Sequence, residues 1–354
     1  MSKKHFSWLL LVTTAVAVLV LLFPGKAGRE SSVEPSVLIP GMAEQVNDIE
    51  WMRLTAAGDE TIATLNRESG FWVVEEASSY RADWDLVKTL LSALSQAEVI
   101  EVKTANPEYY SRLGVEEVDS AEAGGVMVEF AGDSGLPALI IGNEAQGRGG
   151  QYARLRSSVE SVLIDAEIDI PREQSDWLES GILDISDAEV VEFEIIHTDG
   201  ESVKALKASA DEENFKLQEV PDGREIKSQW SVDAPANSLA ALDLQDVVPE
   251  SQFNWEDATR FRILTADGLV VETDLLAVDD GQVEDPQSRY WIRLAAGIYT
   301  TGVGTAAGAD DVATTARADE INSRISGWAY EIPAYRYETM VRRMDELLST
   351  AESE

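Results

Sequence analysis

The stretch GGQYARLRSS, residues 149–158, is answered in the second half of the chain by SRYWIRLAAG, residues 288–297. Both contain an aromatic-X-Arg-Leu phrase, in which Tyr152 matches Trp291, Arg154 matches Arg293 and Leu155 matches Leu294. Successive side chains of a strand point to opposite faces, so Tyr152 and Arg154 share one face while Ala153 and Leu155 share the other. An apolar-in, polar-out strand with an arginine stacked near an aromatic ring is sufficient reason for the phrase. A pair of ligand-gripping arginines is the alternative.

The text upstream of each copy also matches. NDIEWMRLTAAGDET lies over AEVVEFEIIHTDGES, with Ile49 on Val191, Trp51 on Phe193 and Gly58 on Gly200. Val191, Phe193 and Ile195 alternate with Glu192 and Glu194, the period-two signature of a strand with one buried face. SGFWVVEE, containing Trp72, and ENFKLQEV read as returning strands. A helix follows in YRADWDLVKTLLSALSQAEV, where Asp83 is placed as N-cap and Leu86, Leu90, Leu91 and Leu94 recur at helical spacing. Its counterpart is a shorter helix in SVDAPANSLAALDLQDV, carrying Leu239, Leu242 and Val247 behind an Asn237 or Ser238 cap. Two hairpins then turn at Ser134-Gly135 and Asp267-Gly268 and lead into the repeated phrase.

The expected fold class is therefore α+β: two tandem copies of a mostly antiparallel sheet plus helix unit, preceded by one N-terminal transmembrane helix. The expected boundaries begin with a short cytoplasmic end at 1–6, an anchor at 7–23 and a linker at 24–46. The first repeat follows at 47–170, a connector at 171–188 and the second repeat at 189–298. A small-residue loop with a short helix occupies 299–330, and an amphipathic helix 331–354. In that last helix Met340, Val341, Met344, Leu347 and Leu348 form the apolar stripe.

Composition narrows the function classes. The chain has 354 residues, 44% of them hydrophobic, enough for one large or two medium domains. Its 65 acidic and 28 basic residues give a formal charge of -37, which repels nucleic acid and argues against it as a partner. Such acidity reads as solubility or a salty medium more readily than as a cation site. No cysteine occurs, so disulfides, thiolate nucleophiles and Cys-ligated zinc are excluded.

Between Lys4 and Lys26 the segment MSKKHFSWLLLVTTAVAVLVLLFPGK carries no charge from Ser7 to Phe23. As a helix, Phe6 to Pro24 reaches roughly 28 Å, close to the hydrocarbon thickness of a bilayer. We read it as an uncleaved single-pass anchor, with a secretory signal peptide ending near Ala27 as the rival. Lys3 and Lys4 are nearly matched by Lys26 and Arg29, so charge bias hardly fixes orientation. The short leading end favours an N-in anchor with the bulk of the chain on the periplasmic side of the inner membrane.

Four places carry residue types that could support chemistry. GDSGLP, residues 132–137, looks like the nucleophile loop of chymotrypsin-like serine proteases, but Ser134 needs a histidine and an acid in reach. The chain has two histidines, His5 before the apolar segment and His197 at a strand end, where a surface position is expected. The matching TADGLV in the second copy has no serine. VDDGQVEDPQS offers Asp279, Asp280, Glu284 and Asp285, without EF-hand spacing. IGNEAQGRGGQ lacks the Lys-Ser/Thr of a phosphate-binding loop and reads as a hairpin needing left-handed backbone. No catalytic, cofactor-binding or metal residue is assigned, and no cofactor is expected.

Several strings together resemble the bacterial domain of unknown function 4340 family. They are LIPGMAEQVNDIEWMRL, GFWVVEE, KTANPEYYSRLGVEE (residues 103–117), LIIGNEAQGRGGQYARL and WAYEIPAYRYETMVRRMDELL. The likeness covers nearly all of the chain past residue 35, and Asn106-Pro107-Glu108-Tyr109 through Leu113-Gly114 is its most specific part. It implies one N-terminal membrane anchor, a duplicated extracytoplasmic region and genes beside ABC-type transporter components of the gliding-motility auxiliary kind. No catalytic residues come with it. The expectation is thus a non-enzymatic, membrane-anchored accessory or scaffold protein whose partners are the membrane and ABC permease or ATPase subunits. The alternative is a periplasmic binding module for a sugar, peptide or lipid fragment, with Trp72, Tyr152, Trp230, Trp291 and Arg293 as contacts.

Overall fold

The structure, a computed structural model, describes residues 36–132, 134–147, 149–279, 288–299 and 311–349. The expected cytoplasmic end at 1–6 and anchor at 7–23 lie outside the described residues. So do Asp280, Glu284 and Asp285. No helix among the described residues is long and apolar enough to cross a membrane. The fold is α+β, and its sheets are antiparallel.

Two compact units divide the chain. One holds residues up to Thr64 together with Asp85–Arg172, and the other holds Leu65–Trp84 together with residues from Glu173 onward. In the first unit the strands lie in the order Ser36–Val37, Glu98–Thr104, Ser161–Ile164, Gln151–Leu155, Leu139–Glu144, Val126–Phe130, Trp51–Thr55 and the start of Thr61–Glu68. In the second the order is Asp246–Pro249, Trp328–Ile332, Ser288–Ile298, Leu269–Asp279, Thr259–Thr265, Val190–Ile196, Ser202–Leu206 and Lys216–Leu217. From Glu98–Thr104 in the one and Asp246–Pro249 in the other, the two orders agree strand for strand as far as Thr61–Glu68 and Ser202–Leu206. Gln151–Leu155 and Ser288–Ile298, which carry the repeated phrase, fall at the same place.

Local chemistry explains the elements. In helix Trp84–Gln96 the buried residues Val87, Leu90, Leu91 and Leu94 follow the i, i+3, i+4, i+7 rule, each worth about 1.5–3 kcal/mol when fully covered. Val190, Phe193 and Ile195 are buried along Val190–Ile196, and Phe193 packs against Phe215 and Phe261 at ring separations of 5.5 and 6.3 Å. The hairpin turns close on left-handed glycines, Gly135 at φ +71° and Gly268 at φ +87°.

Four expectations need correction. Residues 36–46, expected as linker, are built into the first unit: Ser36–Val37 pairs with Glu98–Thr104, and Leu38, Ile39 and Met42 are buried. The connector 171–188 is likewise structural, because Trp177 is fully buried and Gly181–Leu183 pairs with Leu242–Asp243. The second short helix starts earlier than expected. Ser228 caps Gln229–Asp233, and Pro235, which has no N–H to give, turns the chain into a 3-10 segment at Ala234–Asn237. Leu242 and Val247 therefore sit on strands.

The fourth correction concerns the C-terminal part. Helix Asp311–Ile325 is 15 residues long, and Trp328–Ile332 is a strand that occupies the place Ser161–Ile164 holds in the first unit. Gly327, at φ +87°, makes the turn between them. Beyond Pro333 the expected single helix is two, Ala334–Met340 and Met344–Leu347. The first ends at Val341, whose backbone leaves the helical region, and Arg343 with extended backbone starts the second while its guanidinium pairs with Asp199 at 2.8 Å and with Glu201.

Backbone crowding fixes the segment around residues 110–115 of the first unit. A Cβ on Gly142 would come 2.3 Å from the Leu113 carbonyl oxygen and 2.8 Å from that of Gly114. A Cβ on Gly125 would come 2.2 Å from the Gly114 oxygen. Backbone atoms cannot rotate away as a side chain can, so Gly142→Ala should cost about 1–3 kcal/mol and lower the thermal unfolding midpoint. Gly297→Ala, where nothing lies within 4 Å of the added carbon, should change the midpoint little. Equal midpoints for the two variants would overturn this account of the close approach.

Candidate functional site

The repeated arginines are the natural place to look for function, and each is held by the connection that runs between two strands of its own unit. In the first unit, Asn106 accepts a hydrogen bond from the Glu108 amide at 3.2 Å, and Pro107 starts a short turn with its fixed φ. The chain continues into helical turn Tyr110–Leu113 and leaves it through Gly114 at φ +67°. This geometry accounts for the string NPEYYSRLG. It delivers Tyr110, Val115 and Glu117 to Arg154.

Arg154 is only 4% exposed. Its Nε donates to the Val115 carbonyl at 2.8 Å, Nη2 to Glu117 Oε1 at 2.6 Å and Nη1 to the Ser158 carbonyl at 3.4 Å. The guanidinium carbon lies 4.9 Å from the Tyr110 ring centroid, within cation–π range, and the Tyr110 hydroxyl donates to the Val159 carbonyl. The polar-out assignment of Arg154 is thus corrected: the connection lies over this part of the strand and buries the residue. Burial pushes the Glu117 carboxyl up, but hydrogen bonds and charge from Arg154 and Arg156 outweigh it and hold the group below the ordinary glutamate value.

Arg293 in the second unit has the same kinds of neighbour. Its Nε and Nη2 donate to Asp274 Oδ2 at 3.0 and 2.9 Å, and Glu250 lies 3.8 Å away. Its guanidinium stands 4.9 Å from the Trp255 ring, and Trp255 Nε1 donates to the Glu250 carbonyl at 2.9 Å. Arg293 remains about a third exposed. In both units an aromatic residue and a glutamate from the connection hold the arginine of the repeated phrase.

Tyr110, Glu117, Glu250 and Trp255 are absent from the sequence expectations. A signal for them exists: both connections contain Asn-X-Glu, residues 106–108 and 254–256. In each, the Asn side chain accepts from the Glu amide, at 3.2 and 3.1 Å, and donates to the Glu carboxylate at 3.4 Å.

The other candidates are dispersed. Trp72 and Trp291 are buried, Tyr152 is half-buried with Lys103 Nζ 6.0 Å from its ring, and Trp230 is 73% exposed. The Ser134 hydroxyl donates to the Ala131 carbonyl at 2.6 Å and accepts from the Leu136 amide at 3.2 Å, closing the turn. His197 is buried rather than at the surface; it opens a hairpin closed by its own amide bond to the Glu201 carbonyl at 2.9 Å, and Arg343 pairs with the Glu201 carboxylate. Asp279 accepts from Ser288 Oγ at 3.2 Å. Gly147, Gly149 and Gly150 all adopt left-handed φ, as the glycine-rich hairpin requires. Among the described residues no three His, Asp or Glu side chains converge as a metal would need.

An open cleft of about 520 Å³ runs along helix Trp84–Gln96 in the first unit, lined by Lys88, Ser92, Gln96 and Asp165. Gln96 Nε2 donates to Ser92 Oγ at 2.6 Å, and Asp165 accepts from the Glu98 amide at 2.8 Å. In the second unit Tyr80, Trp328 and Tyr330 pack edge to face, with Tyr80 5.1 Å from Trp328 and 6.1 Å from Tyr330. The Tyr80 hydroxyl donates to the Glu179 carbonyl at 3.4 Å, while Arg81 and Arg324 stand about the Glu179 carboxylate at 4.0 and 3.9 Å. The space between these groups admits no water-sized sphere.

Comparison with known families matches residues 72–259 to the model described as Domain of unknown function (DUF4340). The chain belongs to the DUF4340 family. No curated protein and no solved structure matches it. The DUF4340 match takes in Tyr80, Asn106 to Glu117, Arg154, Glu179, Glu250 and Trp255, and ends before Arg293.

Two predictions follow from these contacts. Arg154→Leu leaves the buried Val115 carbonyl without its donor and Glu117 with Arg156 alone, and should cost about 2–4 kcal/mol in denaturant unfolding. Glu117→Gln, at a half-exposed position, should cost about 1 kcal/mol or less. A fully stable Arg154→Leu would refute the clamp.

Burial raises the Tyr80 hydroxyl to about 12, with opposing help from the Tyr330 hydrogen bond, and raises Tyr330 further. A folded-state value above the unfolded one gives stability that is complete below the ordinary tyrosine value near 10 and lost as pH rises. Stability should therefore fall between about pH 10 and pH 12. In Tyr80→Phe with Tyr330→Phe that decline should be shallower, as followed by urea midpoints. An unchanged slope would refute the assignment.

Proposed function

We propose that this DUF4340 protein is a membrane-anchored extracytoplasmic accessory or scaffold protein without catalytic activity, built from two copies of one sheet-plus-helix unit and associated with an ABC-type transport or export complex. Residues 7–23 are its anchor, and the bulk of the chain lies on the periplasmic side. The observation that carries the reading is the strand order, which recurs in both sheets with an arginine held by an aromatic residue and a glutamate at the same place. These repeated polar residues secure connections, which is a scaffold's requirement. The acid excess keeps such a surface soluble and suits it to basic protein partners through charge steering.

Affinity purification of the full chain in mild detergent, with crosslinking, should co-isolate an ABC permease or ATPase; recovery of the protein alone under both conditions would overturn the association. Alkaline phosphatase fused after Glu34 should be active and a cytoplasmic reporter at the same site inactive. The reverse pattern would place the body of the chain in the cytoplasm.

A further inference from the structure

We draw no further inference here: the strongest candidate, the surface patch on the second unit formed by exposed Trp230 and Ile226 beside the Arg342 guanidinium, carries nothing because no feature of the structure shows what covers it.

Discussion

The first unit depends on the burial of one cation. Arg154 sits almost wholly out of water, and such a charge is tolerable only when hydrogen-bonded and paired. A carboxylate, two backbone carbonyls and the face of Tyr110 meet that requirement, and all but the Ser158 carbonyl come from the connection before Val126–Phe130. The connection is therefore held where three glycines let its backbone lie directly on the sheet. Gly114 turns the chain, and Gly125 and Gly142 leave room for the Leu113 and Gly114 carbonyls. Charge satisfaction and backbone crowding reinforce each other, because neither the arginine nor the glycines could do this alone.

Much of this was legible as pattern. Alternation along Val190–Ile196, helical spacing at Leu90, Leu91 and Leu94, and the paired phrases around Arg154 and Arg293 are period signals that short-range sterics enforce. The depth of Arg154 was not legible, since strand alternation gives a face and says nothing of what lies upon it. His197 misled for the same reason: a place at a strand end says nothing of what packs upon it. The C-terminal helix failed at Val341–Arg343, where the first helix ends at Val341 and the next turn restarts from the extended Arg343, which reaches Asp199 and Glu201 on the 197–201 hairpin. Asn-X-Glu was readable in both connections, but its value appears only when the Asn side chain is seen closing the turn.

The charge imbalance makes the pairing pattern informative. With more than two acidic residues for each basic one, carboxylates have no difficulty finding solvent, whereas arginines have many partners to choose from. They are used at joints: Arg289 between Asp246 and Glu331, Arg317 between Glu189 and Asp267, Arg343 between Asp199 and Glu201. Exposed pairs of this kind contribute little one at a time. Bridging two carboxylates with one guanidinium also relieves repulsion between the acids, which matters more in a chain of this net charge.

The two arginine sites differ in a way that follows from chain length. In the first unit the connection from Thr104 to Val126 is long enough to fold a helical turn over Arg154 and exclude water. In the second, Pro249 to Thr259 leaves room only for a 3-10 turn and the Trp255 ring, so Arg293 stays partly open and takes its closest carboxylate, Asp274, from the neighbouring strand. The second unit has its long excursion elsewhere, between Ile298 and Trp328, where helix Asp311–Ile325 packs on Ser288–Ile298 through the Asn322 side chain, which both accepts from and donates to Ala296. Each sheet thus has one extended connection laid against the strand of the repeated phrase: in the first it lies earlier in the chain, between Glu98–Thr104 and Val126–Phe130, and in the second it directly follows the strand. A strand can receive its cover from a connection earlier or later in the chain, so the common strand order survives while the covering segments differ.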